Sequence, residues 1–412
     1  MQRTRENITG HWIIFFIWPF GALLRAVKNI KTRWAKNLIW AFCAYFGFTM
    51  VTASEGADYT RYVQWLKIMN QQSFDFKVLG NMMFAETNAF VDLLQPLVTF
   101  IVAQFTDDGR ILYAMFGLVF GYFYSGNIFY LSRHINFRRT NWSLFLLIIF
   151  SIIVPFWEIN GFRFWTAAHI FLYGALPYLF ERNKSSLIWV WLSLLVHFSF
   201  FLPAVIFTIN IFFGNRLNIY FILFIVSLTV SELDLRGLSN TLSFYAPEFL
   251  LPKIRSYLNP DYAERIAEQV AQTNWYVGWS LKGMKYAITI LFFYLFLFQK
   301  SIIMKNEKVV SLFSFSLLFT AFSNITSLVP SGGRFVTVSF LFSITFLIML
   351  TNHILILKRL KPILVLCIPA FILFFIVKMR MGFDFIGFAA IVGNPFISGL
   401  FNNDIPLIDL IK

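Results

Sequence analysis

Residues 187–213, LIWVWLSLLVHFSFFLPAVIFTINIFF, decide the fold, because this apolar segment carries a single ionisable side chain, His197. As one continuous helix it would be about 40 Å long, whereas the hydrocarbon core of a bilayer is about 30 Å thick. The segment is long for one crossing and short for two. One tilted helix is one interpretation. We favour a break at Val196–Ser199, just before Pro203, which gives two half-length helices that meet at a polar point.

Apolar segments of similar character fill most of the chain. The 412 residues are 58% hydrophobic and 13% charged, whereas a soluble domain carries about 25% charged residues. Uncharged segments cover residues 11–24, 37–54, 111–132, 142–157, 217–231, 286–298, 309–329, 335–352 and 362–377, and 164–180 carries only His169. We predict an all-α polytopic integral membrane protein with about 10–13 transmembrane helices, some of them broken or re-entrant. Residues 1–412 would form a single transmembrane domain, with no soluble domain before or after it, and residues 11–24 a retained helix rather than a cleaved signal.

Lysine and arginine mark the orientation. They concentrate in six short loops near residues 28–36, 133–139, 182–184, 216, 300–308 and 358–361. This pattern indicates cytoplasmic loops, so the net charge of +14 reports topology and predicts no nucleic-acid partner.

Six loops on one side impose two conditions on the topology. The segment 89–105, which Asp92 interrupts, must lie at the outer interface or re-enter, and residues 187–213 must go out and back. Residues 232–282 would form an extracytoplasmic loop of about 50 residues, and the apolar tail 382–400 would lie in the interface or re-enter.

Two arginines on the predicted outer face need an explanation. Arg163 and Arg334 each open an apolar helix. A charge at membrane depth is costly unless it is paired or hydrated, so both are functional candidates, although snorkelling or a surface turn would also explain them. Gly332 and Gly333 precede Arg334 and would let the backbone approach a ligand closely. A helix N-terminus beside an arginine suits an anion, above all phosphate.

Five further polar residues join these candidates. His197, followed by Ser199, is a buried residue bonded to a carbonyl, a general base, or a donor to a phosphate or sugar hydroxyl. Asp58, beyond a spanning segment, either deprotonates a hydroxyl or caps the next helix. Tyr59 and Tyr62 would share a face of that helix, where they either stack on sugar rings or belong to an aromatic belt.

Several familiar motifs are missing from the sequence. It has no Walker A motif, no His/Cys spacing typical of a metal site and no paired acidic motif of the kind that holds a metal for nucleotide-sugar chemistry. We therefore expect neither metal nor cofactor, and any glycosyl or phosphoryl chemistry would depend on the arginines.

Taken together, these residues resemble the EpsG family of Wzy-type polysaccharide polymerases over nearly the whole chain. The matching pieces, in order, are Gly56-x-Asp58-Tyr59-x-x-Tyr62, the helix-opening Arg163, His197-x-Ser199 and the helix-opening Arg334. One departure is Ser54-Glu55, where family members often carry an arginine.

The resemblance implies a glycosyltransferase at the outer face of the bacterial inner membrane. It would transfer a growing glycan from a polyprenyl diphosphate carrier onto a lipid-linked repeat unit. Arg163 and Arg334 would neutralise the leaving diphosphate, while Asp58 or His197 would accept the proton of the attacking hydroxyl. Its partners would be the two lipid-linked oligosaccharides, membrane lipid, a chain-length regulator and a flippase.

Other functions remain open at this point. A membrane O-acyltransferase of surface polysaccharide would place its polar residues at the inner face, where its acyl donor lies. A lipid-linked oligosaccharide flippase or other transporter would often show two matching halves, and the sequence has no evident internal symmetry. An O-antigen ligase is a close relative that sequence separates poorly from a polymerase.

Overall fold

The computed structural model describes residues 8–52, 58–71, 92–136, 141–245, 271–400 and 405–411, together with eight scattered residues between 251 and 268. Within these ranges the secondary structure is helical, apart from an isolated antiparallel bridge between Gly387 and Pro406. Six helical segments are long and apolar enough to cross a membrane, namely Gly109–Arg133, Asn141–Glu181, Trp275–Ile303, Glu307–Thr326, Gly333–Thr351 and Leu355–Gly382. The prediction of an all-α polytopic membrane protein is confirmed.

Shorter helices accompany the long ones. The first part of the chain forms α1 (Ile8–Ile17), α2 (Pro19–Lys28), α3 (Arg33–Phe48), α4 (Asp58–Asn70), α5 (Leu94–Ala103), α6 (Gly109–Arg133), α7 (Asn141–Ile153), α8 (Phe162–Glu181), α9 (Leu187–Val196) and α10 (Phe201–Phe213). The second part forms α11 (Leu217–Thr229), α12 (Leu235–Tyr245), α13 (Trp275–Ile303), α14 (Glu307–Thr326), α15 (Gly333–Thr351), α16 (Ile354–Gly382), α17 (Phe388–Val392), α18 (Pro395–Leu400) and α19 (Leu407–Ile411). Short 3₁₀ turns cover Phe156–Gly161, Lys184–Ser186 and Phe198–Phe200.

Glycines allow α3 and α6 to pack at close range. A Cβ atom on Gly47 would lie 2.0 Å from the Tyr113 carbonyl oxygen, and one on Gly117 would lie 2.2 Å from the Cys43 carbonyl oxygen. Small residues at such contacts are what bring helices together in a membrane, where the hydrophobic effect between helices is weak.

The basic loops gather at one end of the helix bundle, which we term the basic end. Asn352, between α15 and α16, donates to the His134 carbonyl oxygen after α6 at 2.8 Å. Arg182, after α8, pairs with Glu307 at the start of α14 at 3.3 Å. A lysine–carbonyl bond joins the loop before α3 to the loop after α6. The pair of His134 with Glu181 and the bond from Lys300 to Asn218 connect these contacts, so the described basic loops near residues 28–36, 133–136, 182–184, 216 and 300–308 share one end. Residues 358–361 lie in the first turns of α16 and not in a loop. Arg138 and Arg139 lie outside the described residues.

The segment 187–213 is broken where the sequence predicts. Helix α9 ends at Val196, His197 is extended (φ −151°, ψ 115°), and α10 begins at Phe201 after one 3₁₀ turn. The polar backbone of the break finds partners in side chains, as a break at membrane depth requires.

Ring contacts show that α9 and α10 run in opposite directions. Ser186 bonds to a carbonyl in the middle of α8, and α9 then carries the chain away from the basic end until His197 meets Phe164 at the start of α8. Helix α10 returns beside α8, so that Phe207 contacts Tyr178. The predicted out-and-back course is confirmed.

Helix α5 stays at the end opposite the basic loops. The segment before it, at Asp92, contacts Arg163 near the start of α8. At the other end of α5, the Ala103 carbonyl accepts from Asn70 at 2.7 Å, shortly before α6 begins at Gly109. The described part of segment 89–105 therefore does not cross the bundle, as predicted.

The interpretation of residues 11–24 as one helix is wrong. Trp18 leaves the helical conformation (φ −150°, ψ 89°) and Pro19 opens α2, because proline fits the first helical position and donates no hydrogen bond. Helices α1 and α2 pack against each other and are each about 15 Å long, half the thickness of a bilayer core.

One segment in the second half of the chain differs from expectation, whereas the described tail 382–400 does not contradict the expected interfacial or re-entrant course. Helix α13 begins at Trp275, so it includes Lys282, where the loop 232–282 was expected to end. Most of residues 246–270 lie outside the described residues. The apolar tail forms α17 and α18, and the Trp18 indole donates to the Ile391 carbonyl oxygen at 2.6 Å. The tail is thus joined to the N-terminal helices.

Candidate active site

A cavity of about 170 Å³ lies at the end opposite the basic loops. Residues from α4, α8, α15, the 3₁₀ turn before α8 and the break after α9 surround it. The lining residues are Asp58, Tyr62, Glu158, Asn160, Gly161, Arg163, Phe164, Trp165, His197 and Arg334. The fold thus brings together five of the nine predicted site residues, whereas Tyr59, Ser199, Gly332 and Gly333 are not among the lining residues.

Arg163 is held from two sides. Its Nε donates to the Tyr62 hydroxyl at 3.0 Å, and its Nη1 donates to Asp92 Oδ2 at 3.1 Å. The Arg163 side chain is 21% exposed and that of Asp92 is 8% exposed. A guanidinium that is mostly shielded from solvent needs such a partner, because an unpaired charge there is costly.

The sequence analysis missed Asp92 as a site residue and treated it only as an interruption of an apolar segment. Asp92 lies 71 residues before Arg163, so no local pattern joins the two. The rule that selected Arg163, an ionisable group within an apolar segment, would also have selected Asp92.

Tyr59 and Tyr62 share a face of α4, as predicted, but that face packs on α6. The Tyr59 ring lies 4.6 Å from Tyr113 and the Tyr62 ring 5.9 Å from Phe116, measured between ring centroids. Tyr62 is fully buried, so its ring offers no surface for stacking on a sugar. Burial raises the pKa of the Tyr62 hydroxyl, and the nearby Arg163 offsets only part of this rise. The hydroxyl therefore stays neutral and orients Arg163.

His197 is oriented by Ser199. The Ser199 backbone N–H and hydroxyl both contact His197 Nδ1, at 3.3 Å and 2.9 Å. A backbone N–H can only donate, so Nδ1 accepts, and the proton of the neutral ring is on Nε2. Of the interpretations left open by the sequence, this arrangement favours a hydrogen-bond donor over a general base. Ser199 supports the ring and does not line the cavity.

The turn before α15 places Arg334. Ser331 has a positive φ of 63°, and a Cβ atom on Gly332 would lie 1.8 Å from the Thr326 carbonyl oxygen. Gly332 is therefore needed for the close contact of two backbone segments, whereas a Cβ atom on Gly333 would meet open space. Arg334 lines the cavity, and its guanidinium carbon Cζ lies 5.6 Å from the centroid of the Phe164 ring.

Ion pairs neutralise three of the four charged residues that line the cavity. Asp58 pairs with Arg61 at 2.6 Å, Glu158 with Lys378 at 2.7 Å and Arg163 with Asp92. Within the described part of the chain Arg334 makes no ion pair. Among these described residues, four cations and three carboxylates sum to a net charge of +1, which favours an anion. Lys378 was not predicted, although its place in the last turns of an apolar helix marks it.

The cavity offers donors suited to anions. Two guanidinium groups, an imidazole and a tyrosine hydroxyl contribute N–H and O–H groups. Among the residues that the structure describes, no group of three or more His, Cys, Asp and Glu side chains is placed to hold a metal ion.

Comparisons with known proteins identify a family. No match was found among curated proteins or among solved structures. The EpsG family model matches residues 37–388, which include the predicted site residues and Asp92. The chain belongs to the EpsG family, a family of Wzy-type polysaccharide polymerase-like membrane proteins.

Proposed function

We propose that this protein polymerises oligosaccharide repeat units carried on polyprenyl diphosphate. The observation that carries the proposal is the meeting of Arg163, His197 and Arg334, from three distant parts of the chain, at one cavity. A diphosphate has the charge and the acceptor oxygens that such a set of donors binds. Family membership supports a polysaccharide polymerase-like activity in general.

The arginines would act on the leaving group. When the bond between the donor sugar and the diphosphate breaks, negative charge grows on the diphosphate, and donors already in position stabilise that charge. Arg163 donates from Nε to Tyr62 and from Nη1 to Asp92. Its Nη2 makes no hydrogen bond to the described residues and would donate to the diphosphate. Arg334, which lines the same cavity, contributes a guanidinium that makes no ion pair with the described residues.

Asp58 is the group that we assign to proton acceptance. The hydroxyl of the acceptor sugar attacks the anomeric carbon of the donor, forms the new glycosidic bond and loses its proton. Asp58 lines the cavity and is partly exposed. His197 Nδ1 is occupied by Ser199, and Glu158 is held by the buried Lys378, so both suit this role less well.

The orientation follows from charge. If the basic end lies in the cytoplasm, as the positive-inside rule predicts, the cavity faces the periplasm or cell exterior. A lipid-linked repeat unit that has been flipped across the bacterial inner membrane would reach it from the outer leaflet. A flippase and a chain-length regulator are the partners that this arrangement would need.

Length-resolved surface glycans test the proposal. Deletion of the gene should collapse the ladder of chain lengths to a single repeat unit, and the wild-type protein should restore it. Arg163→Ala and Arg334→Ala should fail to restore it while inserting normally, because loss of one such donor lowers the rate about 10²-fold or more.

Arg110→Ala is the matched control for both variants. Arg110, like Arg163 and Arg334, is the second residue of an apolar helix, but it pairs with Asp108 at 2.6 Å and lies outside the cavity. Arg110→Ala should restore a full ladder. Normal chain lengths in both Arg163→Ala and Arg334→Ala would reject the proposed function.

The deletion strain also distinguishes the alternatives. Loss of acetyl groups from an unchanged ladder would indicate an O-acyltransferase. Repeat units trapped on the inner leaflet would indicate a flippase, and long glycans retained on the lipid carrier would indicate a ligase.

A further inference from the structure

We propose that Asp92 is a positioning residue of this active site, which holds Arg163 with one carboxylate oxygen and the backbone next to His197 with the other. The inference rests on the proposed function, because it concerns the same cavity. Asp92 does not line the cavity, so it acts through the residues that do.

Each oxygen of the Asp92 carboxylate has its own partner. Oδ2 accepts from Arg163 Nη1 at 3.1 Å, and Oδ1 accepts from the Phe198 backbone N–H at 2.7 Å. Phe198 lies between His197 and Ser199. One side chain therefore joins the arginine of α8 to the break between α9 and α10.

The backbone around Asp92 is fixed as well. The N–H of the next residue, Leu93, donates to the Leu195 carbonyl oxygen in the last turn of α9 at 2.7 Å. This bond and the bond from Phe198 attach the segment before α5 to both sides of the break. The carboxylate is buried, so it has neither the space nor the solvent to turn away from Arg163.

The break itself explains why a carboxylate is useful here. The start of a helix leaves backbone N–H groups without partners, and a negative side chain at this position is favourable. The Phe198 N–H goes to Asp92 and the Ser199 N–H goes to His197 Nδ1. Together these bonds fix the backbone turn that carries His197 and hence the position of its ring.

Asp92 has two opposing effects on the site, because it orients Arg163 but also weakens the attraction of the cavity for an anion. Asp92 reduces the positive charge at the cavity, so its presence weakens the attraction for an anion. Its benefit is geometric, since a displacement of about 1 Å in a catalytic group can lower a rate by as much as about 10²-fold. A positioning role therefore predicts that removal of the charge separates turnover from anion binding.

Asp92→Asn in the full-length protein tests this separation. The substrate is lipid-linked repeat units extracted from the deletion strain, and the anion probe is inorganic pyrophosphate as an inhibitor. We expect kcat to fall about 10- to 100-fold, while pyrophosphate inhibits at least as strongly as in the wild type. The amide oxygen of Asn can still accept from Phe198, so the break should remain folded.

Asp108→Asn is the control. Asp108 also pairs with the arginine that opens a helix at this end, and it lies outside the cavity. The Asp108→Asn variant should match the wild type in turnover and in inhibition by pyrophosphate.

Two outcomes would overturn the role of Asp92. One is an unchanged kcat in Asp92→Asn. The other is a parallel loss of turnover and of pyrophosphate inhibition in a variant that is folded and inserted, because a positioning role predicts that anion binding is kept. If Asp92→Asn does not accumulate, Asp92→Glu replaces it. Asp92→Glu keeps the negative charge, but its longer side chain moves the carboxylate. We expect kcat to fall while pyrophosphate inhibition stays unchanged. A normal kcat in Asp92→Glu would also overturn the role of Asp92.

Failure of the proposed function has a different signature. Full turnover in both Arg163→Ala and Arg334→Ala, or no inhibition of the wild type by pyrophosphate, would reject the diphosphate site as a whole. An inactive Arg163→Ala beside a fully active Asp92→Asn would reject only the role of Asp92.

Discussion

Two apolar segments of this protein are broken near their middle, and the two breaks are compensated differently. In residues 11–24 the break falls at Trp18, the next residue is Pro19, which has no N–H, and the Trp18 backbone N–H bonds to the Ile14 carbonyl oxygen. In residues 187–213 the break falls at His197, and two backbone N–H groups bond to the side chains of Asp92 and His197.

The comparison shows what turns a broken helix into a site. The start of every helix leaves backbone N–H groups that need partners where water is scarce. Where proline and the backbone itself meet this need, the break is only structural. Where ionisable side chains meet it, they are held at fixed positions beside the cavity, and those positions suit chemistry.

The largest effect at the second break is expected from His197→Phe. The substitution keeps a ring of similar size but removes both nitrogens, so the cavity loses a donor and the Ser199 N–H loses its acceptor. Polymerisation should fall about 10²-fold or more, as measured by initial rates on extracted lipid-linked repeat units.

His134→Phe serves as the control, because His134 lies at the basic end and forms a partly exposed pair with Glu181. It should leave the rate unchanged. A His197→Phe variant with the wild-type rate would remove the functional distinction between the two breaks.

Ser199→Ala should have an intermediate effect. The hydroxyl bond to His197 Nδ1 is lost, but the backbone N–H of residue 199 still donates to the same nitrogen and keeps the proton on Nε2. Loss of one neutral hydrogen bond corresponds to about 1 kcal/mol, or about a fivefold lower rate. A loss as large as that of His197→Phe would mean that the hydroxyl, rather than the backbone, determines the state of the ring.

The smallest effect on activity is expected at the first break, from Trp18→Phe. This variant loses the indole bond to the Ile391 carbonyl oxygen, which should lower the free energy of unfolding by about 1 kcal/mol. Chain length of the glycan should not change. Thermal unfolding in detergent, read beside the glycan ladder, checks both statements, and a shortened ladder would show that the N-terminal helices also serve the site.

Much of the topology could be predicted from the sequence. The bilayer sets the length of an apolar segment and the side on which lysine and arginine lie. The sequence therefore predicted the shared end of the basic loops, the non-crossing α5 and the break at His197. The break at Trp18 was missed, although Pro19 is a local signal for it.

The sequence alone determined that this is a polytopic helical membrane protein of the EpsG type, and it marked Arg163, His197 and Arg334 as ionisable groups in apolar surroundings. Only the tertiary structure decided that the Tyr62 hydroxyl accepts from Arg163, that Asp92 holds that arginine, and that Lys378 and Glu158, 220 residues apart, form a partly buried pair. The physical reason is the range of the interactions. Hydropathy and charge placement act on each segment separately, whereas a buried charge finds its counter-ion only after distant helices have packed.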